Sequence, residues 1–221
     1  MKYTTCVSIA HRSPEAALSQ ITDVLKSSEY VELRLDYLKS ADDMVYLLEE
    51  AAPYMNRFIC TLRPKSEGGM YDGAESQRIQ MLKAISNHRP YLLDVEYSTI
   101  TRGNLAAELS SNIMVSWHDF EDTPPLDALI HQMNLMADYS NTIKIATLAR
   151  DAPDTARVLA LYAHAKTGSL VAFAMGDAGR HSRLCAMHLG SPFMYVYVGK
   201  TVAPGQYSLQ DVQTIEEDGL L

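Results

Sequence analysis

Two residues stand out for the chemistry their surroundings would allow. Lys144 lies in Ile143-Lys144-Ile145-Ala146, which reads as a short buried strand. An ammonium buried without a partner is costly. Buried amines escape that cost by shedding the proton, which makes them nucleophiles toward carbonyl carbon. The plainer reading of Lys144 by itself is an edge-strand lysine that snorkels to water or pairs with an acid. His118, at the end of the preceding apolar run in Val115-Ser-Trp-His-Asp-Phe120, shifts the balance. An imidazole beside a buried amine is the pair that Schiff-base chemistry with proton transfer requires.

Further polar residues collect at the ends of other apolar runs. They are Glu32, Arg34 and Asp36, then Arg63 with Glu67 beyond it, Glu96, Ser182-Arg183, and Ala203-Pro-Gly-Gln206. Each has an ordinary explanation. Glu32 and Arg34 would make a structural ion pair, Asp94 and Glu96 would be common strand-end acids, Lys65–Gly69 an exposed turn, and Arg183 a solvated helix residue. The case for function is that six strand ends carry groups suited to binding a carboxylate and moving protons.

Alternating extended and helical signals must position these groups. Strands are expected over Thr4–Ile9, Tyr30–Asp36, Arg57–Arg63, Tyr91–Glu96, Ile113–His118, Thr142–Ala146, Leu170–Met175 and Phe193–Val198. In the second, alternation places Glu32, Arg34 and Asp36 on one face and Val31, Leu33 and Leu35 on the other. Helices are expected from Pro14, with Ser13 as N-cap, to about Ser27, and over Ser40–Ala52, Ala74–Asn87, Leu105–Ser110, Leu126–Asp138, Ala152–Thr167 and Gly179–Leu189, with a closing helix from Ser208. Eight βα units in 221 residues predict an α/β fold, a (β/α)8 TIM barrel forming one domain over residues 1–221. In such a barrel the chemistry lies at the C-terminal strand ends and in the loops after them.

Composition narrows the function. Hydrophobic residues make up 47% of the chain, and the formal net charge is −8, which argues against a nucleic-acid binder or a membrane-surface protein. The partner expected is a small molecule. Three cysteines, Cys6, Cys60 and Cys185, form no paired pattern, and Cys6 and Cys60 read as small core residues. With no leader-like start and no run of transmembrane length, the expected compartment is the cytoplasm. His88, His131 and His164 read as surface or helix-face histidines, and no His-Glu-x-x-His or Cys-x-x-Cys spacing is present, so no metal is expected. Gly176-Asp-Ala-Gly179 is a weak phosphate-loop signal.

Taken together, Glu32-Leu-Arg34-Leu-Asp36, Thr61-Leu-Arg-Pro-Lys-Ser-Glu-Gly-Gly69, Ser116-Trp-His-Asp-Phe120, Lys144-Ile-Ala146, Met175-Gly176 with Ser182-Arg183, and Ala203-Pro-Gly-Gln206 resemble type I 3-dehydroquinate dehydratase over nearly the whole chain. The resemblance implies a (β/α)8 barrel, usually a homodimer, that removes water from 3-dehydroquinate without metal or organic cofactor. It implies that Lys144 is the Schiff-base lysine, His118 the general acid/base and Glu67 an acid assisting the histidine. Ser8, Glu32, Arg34, Arg63, Arg183 and Gln206 fall on substrate-binding positions, with Arg183 suited to a carboxylate. One departure is Val202, where the family often has Ser or Thr before Ala-Pro-Gly-Gln; Thr201 and Val202 are therefore both candidates for that contact. A class I aldolase would share the barrel and the lysine but would normally act on phosphorylated sugars. A non-catalytic binding barrel would not require Lys144 and His118 together.

Overall fold

A computed structural model of the chain describes residues 2–166 and 168–219. Residue contacts gather into two compact units, Val7–Met114 and Met1–Cys6 with Val115–Leu221. Both are built from parallel βα repeats.

In the 7–114 unit the strands are β1 (Thr5–Ile9, which the division crosses), β2 (Tyr30–Arg34), β3 (Phe58–Thr61) and β4 (Leu92–Glu96), neighbours in that order. The parallel register sets Arg34 beside Thr61 and Thr61 beside Asp94, so polar strand-end residues line up across the sheet. Between the strands run α1 (Pro14–Val24), α2 (Ala41–Glu50) and α3 (Glu75–Asn87), followed by the short α4 (Tyr97–Ile100) and α5 (Leu105–Glu108). Ser13 caps α1 by accepting from the Ala16 amide, with Pro14 in the first turn. Ser40 caps α2 through the Asp43 amide at 3.1 Å. Capped ends of this kind satisfy amides that the helix itself leaves unbonded.

The other unit holds most of β5 (Ile113–Asp119), then β6 (Thr142–Leu148) and β7 (Ser169–Met175), and the pair β8 (Met194–Tyr197) and β9 (Tyr207–Ser208). Its helices are α6 (Leu126–Ala137), α7 (Ala152–His164), α8 (Ser182–His188) and α9 (Leu209–Asp218). In β6 and β7 nearly every side chain is buried, as expected for parallel strands covered on both faces. Asp151 caps α7, and Ser208 with Asp211 forms a reciprocal capping box on α9.

Several element boundaries differ from expectation. Strand two stops at Arg34, and Leu35–Tyr37 forms a 3-10 turn, so Asp36 does not continue the alternation. It turns back and accepts two bonds from the Arg34 guanidinium. The helix expected from Gly179 begins at Ser182, because residues 176–181 form a turn. The expected end of helix 152–167 at Thr167 lies outside the described residues; the helix itself ends at His164. A short ninth strand, β9, was not expected. Among the described residues no helix is long and apolar enough to cross a membrane. Cys6 and Cys60 are buried and unbridged, as core residues should be, and burial pushes the Cys60 thiol up to about 12.

Candidate active site

In the 7–114 unit, the ends of β1 to β4 hold a buried set of charges. Glu32 is 5% exposed and accepts from the Ser8 hydroxyl at 2.7 Å and the Thr61 hydroxyl at 3.0 Å. Its expected pairing with Arg34 is not the one observed. Arg34 pairs instead with Asp36, at 3.0 and 2.8 Å, and Asp36 also accepts from the Met70 amide at 3.0 Å. Arg63, on the residues just past β3, donates to Asp94 at 2.6 Å and to Glu96 at 2.7 Å. Burial works against the charge of Arg63, but Asp94, Glu96 and Glu67 outweigh it and keep the guanidinium firmly protonated. The strand-four acids are therefore counter-ions of an arginine, and not ordinary solvated acids.

Glu67 lies in the loop after β3. Burial, with the nearby Glu96 charge and against the attraction of Arg63, pushes its carboxyl up to about 7. The Ser98 hydroxyl donates to it at 2.9 Å. A carboxyl balanced between its two forms near neutrality can hold or release a proton at little cost. The Gly-Gly that follows is explained by the loop's path. Gly68 has φ +75, and a Cβ on Gly69 would come within 2.0 Å of the Arg63 carbonyl oxygen. Hydrogen bonds from the Gly69 amide to Pro64 O and from the Tyr71 amide to Arg63 O, at 3.0 and 3.1 Å, close the loop on itself.

In the second unit, Lys144 sits mid-β6, 6% exposed, with its Nζ 4.4 Å from the centre of the Tyr195 ring on β8. The ring's negative face suits any cation formed at that nitrogen. His118 lies near the end of β5, its imidazole nearly parallel to the Phe120 ring at 6.0 Å. Arg183, at the start of α8, is 3% exposed. It lies over the Phe173 ring at 3.9 Å and, among the described residues, donates to the Pro204 carbonyl alone, at 3.3 Å, with its Nε unpartnered. Among the described residues it has no carboxylate counter-ion, and burial pulls its pKa down to about 10. A buried guanidinium offers an anion a two-bond fork.

The turn that delivers Arg183 is stitched by Ser182, whose hydroxyl accepts from the Ala174 amide at 2.8 Å and donates to Gly179 O at 2.6 Å. Gln206 is buried, and its Oε1 accepts from the Val202 amide at 3.3 Å. The Thr201 hydroxyl donates to Ala203 O at 2.9 Å, so it serves the loop's own conformation. Val202 keeps an aliphatic side chain at the position before Ala203-Pro-Gly-Gln206. Sequence reasoning passed over Tyr195 and Arg78. Tyr195 carried no signal, being one aromatic in an apolar run. Arg78 did carry one: it shares a helix face with Leu82 and Ile85, all buried, and an arginine in a core-facing register needs buried partners. Among the described residues no group of three or more His, Cys, Asp or Glu could hold a metal ion.

In each unit polar and charged side chains gather at the ends of parallel βα strands, the arrangement of a barrel enzyme acting on a small molecule. The chain belongs to the type I 3-dehydroquinase family, whose model matches residues 5–217. It is 39% identical over 177 residues to a 3-dehydroquinate dehydratase of Pyrobaculum aerophilum, covering 80% of this chain and 58% of that protein. It is 33% identical to one from Thermococcus gammatolerans over 94% of both. In fold it matches the type I 3-dehydroquinate dehydratase from Clostridium difficile with a TM-score of 0.87, at 21% identity over 98% of this chain and 92% of that one. The reaction is the hydro-lyase step that takes water from 3-dehydroquinate to give 3-dehydroshikimate, in the shikimate pathway.

Proposed function

We propose that this dehydration runs through a covalent imine at Lys144. The neutral amine adds to the substrate ketone, and the resulting carbinolamine loses water to give an iminium. The iminium acts as an electron sink, so His118 can remove the neighbouring C–H proton and form an enamine. The enamine expels the β-hydroxyl, which takes a proton from the imidazolium and leaves as water. Hydrolysis of the conjugated iminium then releases product and restores the amine. Arg183 holds the substrate carboxylate as a bidentate fork. Glu67 assists the proton transfers, and Ser8, Glu32, Arg34, Arg63 and Gln206 bind the substrate. Of the two candidates for the remaining contact, Thr201 is committed to its own loop.

The observation that carries this reading is the buried Lys144 amine in β6 against the Tyr195 face. The Clostridium difficile relative was solved with covalently modified comenic acid, which fits an enzyme that forms covalent adducts. We further read the chain as one catalytic domain over 1–221, active as a homodimer in the cytoplasm without a cofactor. Borohydride reduction in the presence of 3-dehydroquinate, followed by mass spectrometry, tests the chemistry. The wild type is expected to gain the reduced adduct on Lys144 and Lys144→Ala to gain none; an adduct that survives in the variant puts the nucleophile elsewhere.

A further inference from the structure

The geometry points to Arg78 as a positioning residue that sets the Arg63 guanidinium for the reaction, acting through Glu96. The inference rests on the reading of Arg63 as a substrate-binding group. Arg78 is fully buried, on the face of α3 that also carries Leu82 and Ile85. Its Nη1 donates to Glu96 Oε2 at 2.6 Å, while Arg63 donates to the other oxygen, Oε1, at 2.7 Å. One carboxylate thus bridges two guanidiniums. The same Nη1 donates to the Leu62 carbonyl at 2.9 Å, so Arg78 grips the backbone immediately before Arg63 as well as the acid that holds its side chain.

The arrangement limits what Glu96 can do. A carboxylate beside a lone arginine takes it in a two-bond fork. With Oε2 occupied by Arg78, Glu96 offers Arg63 a single bond, and Asp94 takes Arg63 Nη2 at 2.6 Å. The plane of the Arg63 guanidinium is then fixed by two acids at two different nitrogens. Removing Arg78 would leave a buried carboxylate oxygen without its donor and let Glu96 swing into a fork with Arg63, turning that plane. Arg78 brings its own counter-ion: Glu75 accepts from Nε at 2.8 Å and from Nη2 at 3.0 Å, and the Thr99 hydroxyl donates to Glu75 at 2.7 Å. The cation therefore adds no net charge to the cluster, and its effect on Arg63 is one of placement.

The test replaces the cation together with its counter-ion. Arg78→Met/Glu75→Gln is compared with Glu75→Gln in steady-state kinetics, thermal unfolding and adduct trapping at saturating substrate. The expected result is a KM raised about tenfold, the scale of one charge-assisted hydrogen bond, with kcat and trapping changed far less. In an Arg63→Lys background the same pair of changes should raise KM no further, because the effect passes through Arg63. A KM equal to that of Glu75→Gln, even with lowered thermal stability, would overturn the proposal by making Arg78 structural only. So would a KM increase that persists undiminished after Arg63 is replaced. If Arg63→Lys itself leaves KM unchanged, the substrate-binding reading of Arg63 fails, and that outcome is distinct from the others. Arg78→Lys, which keeps the charge and loses the fork, should raise KM in the same direction and carries the test should the paired variant not fold.

Discussion

At the scale of single residues, burial shifts the protonation of two groups, the half-buried Glu67 and the buried Arg183, and both shifts make measurable demands. Glu67 has its carboxyl near 7 in the folded chain against 4.5 for an unperturbed glutamate, chiefly through burial. The native state therefore binds that proton more tightly than the unfolded state. The associated stabilisation is complete below about pH 4.5 and is lost as pH rises through 7, and it is worth up to about 3 kcal/mol before discounting for the residue's partial exposure. Glu67→Gln removes the titration. Measured by denaturant unfolding, the variant should gain stability relative to wild type between pH 5 and pH 8; parallel pH curves would refute the assignment. Arg183 is the converse case, a buried cation with no acid partner among the described residues. Arg183→Met should leave the unliganded protein at least as stable as wild type, since replacing a desolvated charge with an aliphatic side chain is often neutral or better. KM for 3-dehydroquinate should rise more than tenfold, because a desolvated charge pair is lost on the substrate side. A clear loss of stability with an unchanged KM would make the guanidinium a structural member of the β7–α8 turn.

At the scale of elements, strands and helices were legible because burial imposes its own periodicity. The apolar runs of β6 and β7 and the Ser13 cap of α1 correspond to residues that the structure buries or bonds as expected, and the helices expected from Ser40 and Ser208 begin beside those residues. Partnerships were not legible. Alternation put Glu32, Arg34 and Asp36 on one face, but the chain leaves the strand at Leu35, and a side chain two residues away closes on Arg34 instead of the acid in the strand. Arg78 shows the same limit, since its core-facing register was visible but the identity of its partners depends on strands distant in sequence. For the loop after β3 the sequence left an exposed turn beside a role for Glu67, and it did not show that the glycines close the loop back on the Arg63 carbonyl. Gly69→Ala tests that element. A methyl group 2.0 Å from the Arg63 carbonyl must push the loop open, so Glu67 and Arg63 should both move. Activity is expected to fall by at least about tenfold, the loss of part of an acid–base contribution. Borohydride trapping on Lys144 should continue at saturating substrate. Full activity in this variant would show that the closed loop is dispensable.

At the scale of the whole molecule, the question is whether 221 residues behave as one cooperative unit. Contacts cluster into two sets, each about the size at which a domain can fold alone. The lines of division, however, fall after Cys6 and after Met114, inside β1 (Thr5–Ile9) and inside β5 (Ile113–Asp119). Domain boundaries ordinarily fall in exposed, polar linkers that few contacts cross, and these two fall inside strands, each between two buried apolar residues. Neither set contains all of its own strands. A single domain should then unfold in one calorimetric transition, with the calorimetric and van't Hoff enthalpies equal. The effect of Arg183→Met on the midpoint should appear in that transition alone. Two resolved transitions, with the substitution moving only one of them, would instead show that the two sets melt independently. The chain would then have to be treated as two folding units sharing strands.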